Sequence, residues 1–189
     1  MLSSRVTLFC LACAGASAAP YARWSRLLPA WIRVCPLERP GRGARANEAH
    51  IEDYHSLVGV LADDIMRDHS QSYALFGHSL GALLAYGCAH RLRQLGARSP
   101  SALLIAGSAA PAHRDDAYLA ELSSDAQVID ELRRQGGTPE EVFADPDMLR
   151  LTVDTAAADF AACASFRPFA ALPLTVPIYV YSGRADTLT

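Results

Sequence analysis

Between Ser72 and Leu95 the chain reads S-Y-A-L-F-G-H-S-L-G-A-L-L-A-Y-G-C-A-H-R-L-R-Q-L, and no other stretch limits the possible folds as tightly. A short apolar run, Tyr73 to Phe76, meets Gly77-His78-Ser79-Leu80-Gly81. From Ala82 onward small and apolar residues recur at helical spacing, so the pattern predicts strand, tight turn, helix. A G-x-S-x-G in that setting is a nucleophile elbow, a turn sharp enough to push the Ser79 hydroxyl out above the sheet. Gly77 and Gly81 leave the necessary room, because a side chain at either would collide with the neighbouring strand or helix. The bland alternative is a glycine-rich turn carrying an idle serine, and the position between a strand and a helix argues against it.

A chain of 189 residues, 51% of them hydrophobic, can bury one good core and is too short for two substantial domains, so a single α/β domain over 1–189 is expected. With 17 basic against 20 acidic residues and no run of Lys or Arg, nothing offers a face for nucleic acid. Five cysteines, at 10, 13, 35, 88 and 163, are odd in number and lie in apolar segments, which suits buried free thiols in a reducing compartment. Cys10-x-x-Cys13 has the spacing of a redox pair but lacks the helix such a pair needs, so neither redox chemistry nor a metal is assigned. The first twenty residues meet the outline of a secretory signal peptide, with Arg5, an apolar run and A-S-A-A. The competing reading, a buried strand Val6 to Leu11 followed by a small-residue loop Ala12 to Ala18, also explains the glycine after the apolar run. No stretch has the 18 or so apolar residues of a membrane span.

Beyond that loop, Tyr21, Trp24, Leu27 and Leu28 have amphipathic spacing and predict a short helix over Pro20 to Leu28, and Trp31 to Val34 predicts a second buried strand. Pro36 to Gly43 is a Pro/Gly/Arg loop, and Ile51 to Met66 repeats apolar residues on one helical face. After the elbow helix, which Gly96 ends, Ser101 to Ala106 is the next strand. This rhythm implies a parallel sheet covered on both faces, with ligands beyond the carboxyl ends of the strands. From Pro111 the rhythm breaks. Ala117 to Leu122, Asp125 to Gln135, Pro139 to Phe143 and Pro146 to Phe166 read as helices, with capping starts at Ser124, Thr138 and Asp145. A helical insertion over about 111–168 is most simply a lid over the strand ends. Pro177 to Tyr181 restores a strand, and Ser182 to Asp186 is the turn after it.

The turns after successive strands of such a sheet converge, bringing Ala12 to Ala18, Ser79 and Asp186 together. Ser79 is then the nucleophile, the backbone N–H groups of Leu80 and Ala14 are oxyanion donors, and Asp186 orients a histidine in the chain order Ser, Asp, His. The six histidines, at 50, 55, 69, 78, 90 and 113, all precede Asp186, so a catalytic histidine in that order is absent from the chain. His78 is expected to turn away from its neighbour on the elbow.

Five blocks together resemble the type II, or editing, thioesterases of polyketide and nonribosomal peptide assembly lines: L-F-C-L-A-C-A-G-A-S-A-A (8–19), P-L-E-R-P-G-R-G-A-R (36–45), A-L-F-G-H-S-L-G-A-L-L-A-Y (74–86), G-G-T-P-E-E-V (136–142) and A-D-F (158–160). The resemblance implies an α/β-hydrolase fold, hydrolysis of acyl thioesters on the phosphopantetheine arm of an acyl or peptidyl carrier protein, and a cytoplasmic setting; a monomer without cofactor is expected. It also implies that the first apolar run is strand and oxyanion loop. Two blocks depart from the family pattern. The loop usually written P-x-A-G-G is here Ala12-Cys13-Ala14-Gly15-Ala16, and P-x-E-L-P-G-R is here Pro36-Leu37-Glu38-Arg39-Pro40-Gly41-Arg42.

The family's catalytic histidine lies in a G-G-H-F stretch that would follow Thr189, so the chain resembles a member lacking its carboxyl-terminal strand and helix. Two other readings of the residues stay open: an esterase or acyltransferase acting on a free small molecule with the same fold, and a non-catalytic fragment that binds carrier domains.

Overall fold

The computed structural model describes residues 5–169 and 173–184. Five strands, β1 (Val6–Leu11), β2 (Ile32–Pro36), β3 (Ser72–His78), β4 (Leu103–Ala106) and β5 (Ile178–Tyr181), form one sheet in the order β2-β1-β3-β4-β5, every pair parallel. The chain builds outward from β1 to β2, then returns to add β3 on the other side. The strand order therefore reverses between β1 and β3, where open parallel sheets leave a crevice at their carboxyl ends. In the β1–β3 register Leu11 stands opposite Gly77, so the loop after β1 and the turn after β3 start side by side.

Alternation along the central strands divides the core. Phe9, Leu11, Tyr73, Leu75 and Leu103 belong to the main apolar cluster together with α1 (Tyr54–Arg67) and α2 (Leu80–Gln94). Leu8, Cys10 and Ala74 belong to a second cluster under Tyr21, Trp24 and Leu28. The fit of α1 against α2 depends on Gly87: a Cβ there would lie 2.3 Å from the Tyr54 hydroxyl, which donates to the Leu83 carbonyl at 2.6 Å. Asp53 caps α1, accepting from the Ser56 amide at 2.8 Å, so the helix begins three residues after the expected Ile51.

Two elements differ from their sequence expectation. The segment expected as an amphipathic helix over Pro20 to Leu28 is a 3₁₀ helix, Ala19–Arg26. Three residues per turn put Tyr21 directly over Trp24, ring centroids 4.9 Å apart, and both meet Phe76 of β3 edge-on. The second strand runs from Ile32 rather than Trp31 and is an edge strand, half-buried rather than buried, because no strand lies beyond it among the described residues. Its exposed Arg33 reaches across to the Thr7 hydroxyl at 2.9 Å and to Asp68.

The insertion after β4 holds 3₁₀ turns at Pro111–His113 and Ala117–Glu121, then α3 (Asp125–Gln135), α4 (Glu140–Ala144) and α5 (Pro146–Ala164). Ser124 and Gln127 form a reciprocal capping box at the start of α3, and Gly136 ends it in the left-handed conformation. Asp145 opens α5 by accepting from the amides of Asp147 and Met148, both at 3.0 Å. Thr138 does not cap α4, whose N-cap position is Pro139. The inward faces of α3 and α5, with Val128, Leu132, Val153, Ala156 and Phe160, join the main core. At the other edge β5 exposes Ile178, Tyr179, Val180 and Tyr181.

Candidate active site

Ser79 stands between the end of β3 and the first residue of α2 with φ 53° and ψ −115°, and it is the one non-glycine residue with positive φ among those described. Such a conformation costs a side-chain-bearing residue of order 1–3 kcal/mol and persists only where the surroundings over-determine it. They do so here. The Ser79 amide donates to the Ala106 carbonyl at the end of β4 (2.9 Å), and its carbonyl accepts from the Ala82 amide at 3.0 Å. A Cβ on Gly77 would lie 2.1 Å from the Gly81 carbonyl oxygen, and one on Gly81 would lie 2.2 Å from that of Leu11. The turn is thus pressed against both its own helix and the end of β1.

Ser79 lines a cleft of about 740 Å³ above the carboxyl ends of the strands. Its floor includes Leu80 and the loop residues Cys13, Ala14, Gly15 and Ala16, and its far wall is the insertion, with Tyr118, Leu132, Val142, Thr152 and Phe160. Leu80 begins α2, so its N–H has no intrahelical acceptor and points with the positive end of the helix. In the loop the Gly15 amide donates to Asp159 at 2.8 Å and the Ala16 amide to the Cys13 carbonyl at 3.3 Å. Neither the Cys13 nor the Ala14 amide has an internal partner among the described residues.

Beneath the loop lies a buried ionic cluster. The Asp159 carboxylate, on α5, accepts from Arg42 twice (2.6 and 2.8 Å) and from Arg39 once (3.1 Å). Arg39 also donates to the carbonyls of Ala12 (2.8 Å), Cys13 (2.7 Å) and Ala16 (3.0 Å). All three charged residues are at most 8% exposed. Burial pulls the Arg39 guanidinium below its ordinary range, an effect the Asp159 charge opposes. Sequence reasoning placed Arg39, Arg42 and Asp159 only inside recurrent blocks. What could have marked them was two arginines in a Pro/Gly loop and a single carboxylate on an otherwise apolar helical stretch, A-A-A-D-F-A-A.

The structure gathers Ser79, Leu80, Ala14, Gly77 and Gly81 at one place, whereas Asp186 lies outside the described residues. His78 and His113 line the cleft, and neither is hydrogen-bonded to Ser79 among the described residues. The other histidines are elsewhere: His50 packs against Gly41, His55 and His90 meet Phe169, and His69 is on the surface. No group of three or more His, Cys, Asp or Glu among the described residues could hold a metal ion, and no described helix is long and apolar enough to cross a membrane. Burial pushes the thiols of Cys10 and Cys163 up to about 12, with coulombic neighbours Cys35 and Asp116 adding to it, so both are poor nucleophiles.

Comparison with known proteins agrees with this geometry. Residues 6–189 match the family model described as Thioesterase domain. The gramicidin S biosynthesis protein GrsT of Aneurinibacillus migulanus is 32% identical over 184 residues, covering 97% of this chain and 72% of GrsT. Among solved structures, the RedJ thioesterase of the prodiginine pathway in Streptomyces coelicolor superposes with a TM-score of 0.85 at 31% identity, covering 97% of this chain and 72% of RedJ. The type II thioesterase BorB from the borrelidin biosynthetic cluster does so with 0.85 at 33% identity, covering 98% and 75%. The chain has the parallel sheet and helices of the α/β-hydrolase fold, belongs to the thioesterase family, hydrolases of thioesters, and is similar to its type II members from polyketide and nonribosomal peptide pathways.

Proposed function

We propose that the chain removes acyl groups from the phosphopantetheine arm of an acyl or peptidyl carrier protein, with Ser79 as nucleophile. The observation that carries this reading is the strained Ser79 in a cleft beside two open amides, those of Leu80 and Ala14. The Ser79 oxygen attacks the thioester carbonyl carbon, its proton passing to a base, and the carbonyl oxygen gains the negative charge. The amides of Leu80 and Ala14 stabilise that oxygen, the one reinforced by the helix dipole and the other by the loop geometry. Collapse breaks the C–S bond, the phosphopantetheine thiol leaves with a proton, and water then cleaves the acyl-serine ester. Asp186 orients the general base, a histidine that the order Ser, Asp, His puts after it and that is not among residues 1–189. The helices over about 111–168 act as the lid that admits the acyl chain, and the enzyme works as a monomer without cofactor. Free cysteines at 10, 13, 35, 88 and 163 agree with a cytoplasmic setting.

The test compares hydrolysis of an acyl group loaded on a phosphopantetheinylated carrier protein with that of the p-nitrophenyl ester of the same acid. Higher kcat/KM on the carrier substrate supports the reading. A higher value on the free ester points instead to a small-molecule esterase, and no turnover of either points to a non-catalytic carrier-binding protein.

A further inference from the structure

The loop that supplies the second oxyanion donor carries no large side chain. Its five residues, Ala12 to Ala16, have small side chains with little area to pack, though Ala12 is buried and Ala14 meets the main core, and the family proline expected at its start is here Ala12. A loop of this kind must be held by its backbone, and a buried polar cluster does so. Arg39 points one planar guanidinium at three loop carbonyls, those of Ala12, Cys13 and Ala16. Asp159 takes the Gly15 amide and neutralises Arg39 and Arg42. Three carbonyls and one amide of the loop are thereby turned inward, and Gly15 accepts the left-handed turn, φ 73°, that this needs. The amides of Cys13 and Ala14, residues that line the cleft, are left without an internal partner among the described residues.

We propose that Arg39 and Asp159 are positioning residues for the acyl oxygen: they fix the backbone of residues 12–16 so that the Ala14 amide is aimed before substrate arrives. This rests on the reading of Ala14 as an oxyanion donor. The same contacts tie α5 to the sheet end. The wall of the cleft that α5 forms is thereby joined to the loop after β1. Arginine suits the post because its planar fork spreads donors over separate nitrogens, whereas a lysine offers its three donors from one nitrogen on a flexible stem.

The experiment measures carrier-bound acyl hydrolysis by the unsubstituted protein, Arg39→Lys, Asp159→Asn and, as a destabilised control away from the cleft, Leu61→Ala, all well below their Tm. Misplacing a catalytic donor by about 1 Å costs on the order of 10²-fold. Arg39→Lys is expected to lose about that factor in kcat with KM within about twofold, and Asp159→Asn at least as much, while Leu61→Ala keeps kcat. Folded Arg39→Lys with unchanged kcat would overturn the proposal, as would a loss in Leu61→Ala equal to that in Arg39→Lys. Hydrogen exchange on the unsubstituted protein decides the matter if the variants do not fold: the Gly15 amide should be protected and the Cys13 and Ala14 amides open, and the reverse order contradicts the proposal. An unsubstituted protein without thioesterase turnover, but with that exchange pattern, would refute the functional reading and leave the backbone assignment standing.

Discussion

Gly81, at the second position of α2, faces the carbonyl oxygen of Leu11 so closely that a Cβ would come within 2.2 Å of it. The contact presses the start of the elbow helix onto the last residue of β1, and so sets the height of Ser79 relative to the loop after β1. Since the nearest atoms are backbone, they cannot swing aside as a long side chain could.

Gly81→Ala should therefore cost about 1–3 kcal/mol by overpacking and slow acylation of Ser79 by on the order of 10²-fold. Gly96→Ala is the informative comparison, because Gly96 also has positive φ (66°) but has open space around it. It should lose about 1–2 kcal/mol through the left-handed backbone alone and acylate at the original rate. Thermal melts with burst-phase kinetics on both variants check this, and equal acylation losses would contradict it.

Phe160 and Phe166 separate what the cap does from what it rests on. Phe160 is buried in α5 and lines the cleft, whereas Phe166, past the end of the helix, packs edge-on against Tyr54 with ring centroids 4.9 Å apart. Phe160→Leu should shift the ratio of kcat/KM toward bulkier or longer acyl chains. Phe166→Leu should lower Tm and leave that ratio alone. A ratio unchanged in the first, or equally shifted in both, would show that the wall does not select the chain.

The cysteines give a pH-dependent test. Cys10 and Cys163 are buried and their thiols are raised from the ordinary 9.0 to about 12, chiefly by desolvation. An acid whose folded pKa lies above its unfolded one favours the folded state fully below the unfolded value, so this contribution is intact below pH 9.0 and lost as pH climbs toward about 12. Iodoacetamide at pH 8 should modify the half-buried Cys13 and Cys35 first and leave Cys10, Cys88 and Cys163 untouched until the protein is unfolded. Mass spectrometry reads the order, and early modification of Cys10 would contradict its burial.

Much of this architecture was legible because it rests on local signals. Apolar runs marked all five strands, and Ser124, Asp145 and Gly136 marked helix ends by capping chemistry that acts within four residues. Residues 19–26 misled because Tyr21 and Trp24 are spaced three apart, a separation compatible with both helix types, and only the face of Phe76 across the sheet favours the tighter one. β2 misled because an apolar run does not say whether a further strand will cover it. The ionic cluster was out of reach for a different reason: Asp159 meets Arg42 across 117 residues and Gly15 across 144, and no periodicity encodes such a meeting.

The central claim is that Ser79 is the acylated residue, and a fluorophosphonate probe tests it most directly. Treatment of the protein followed by peptide mapping should place the adduct on Ser79, with labelling lost in Ser79→Ala and retained in Ser108→Ala, whose hydroxyl also borders the cleft. An adduct on another residue, or undiminished labelling of Ser79→Ala, would contradict the account.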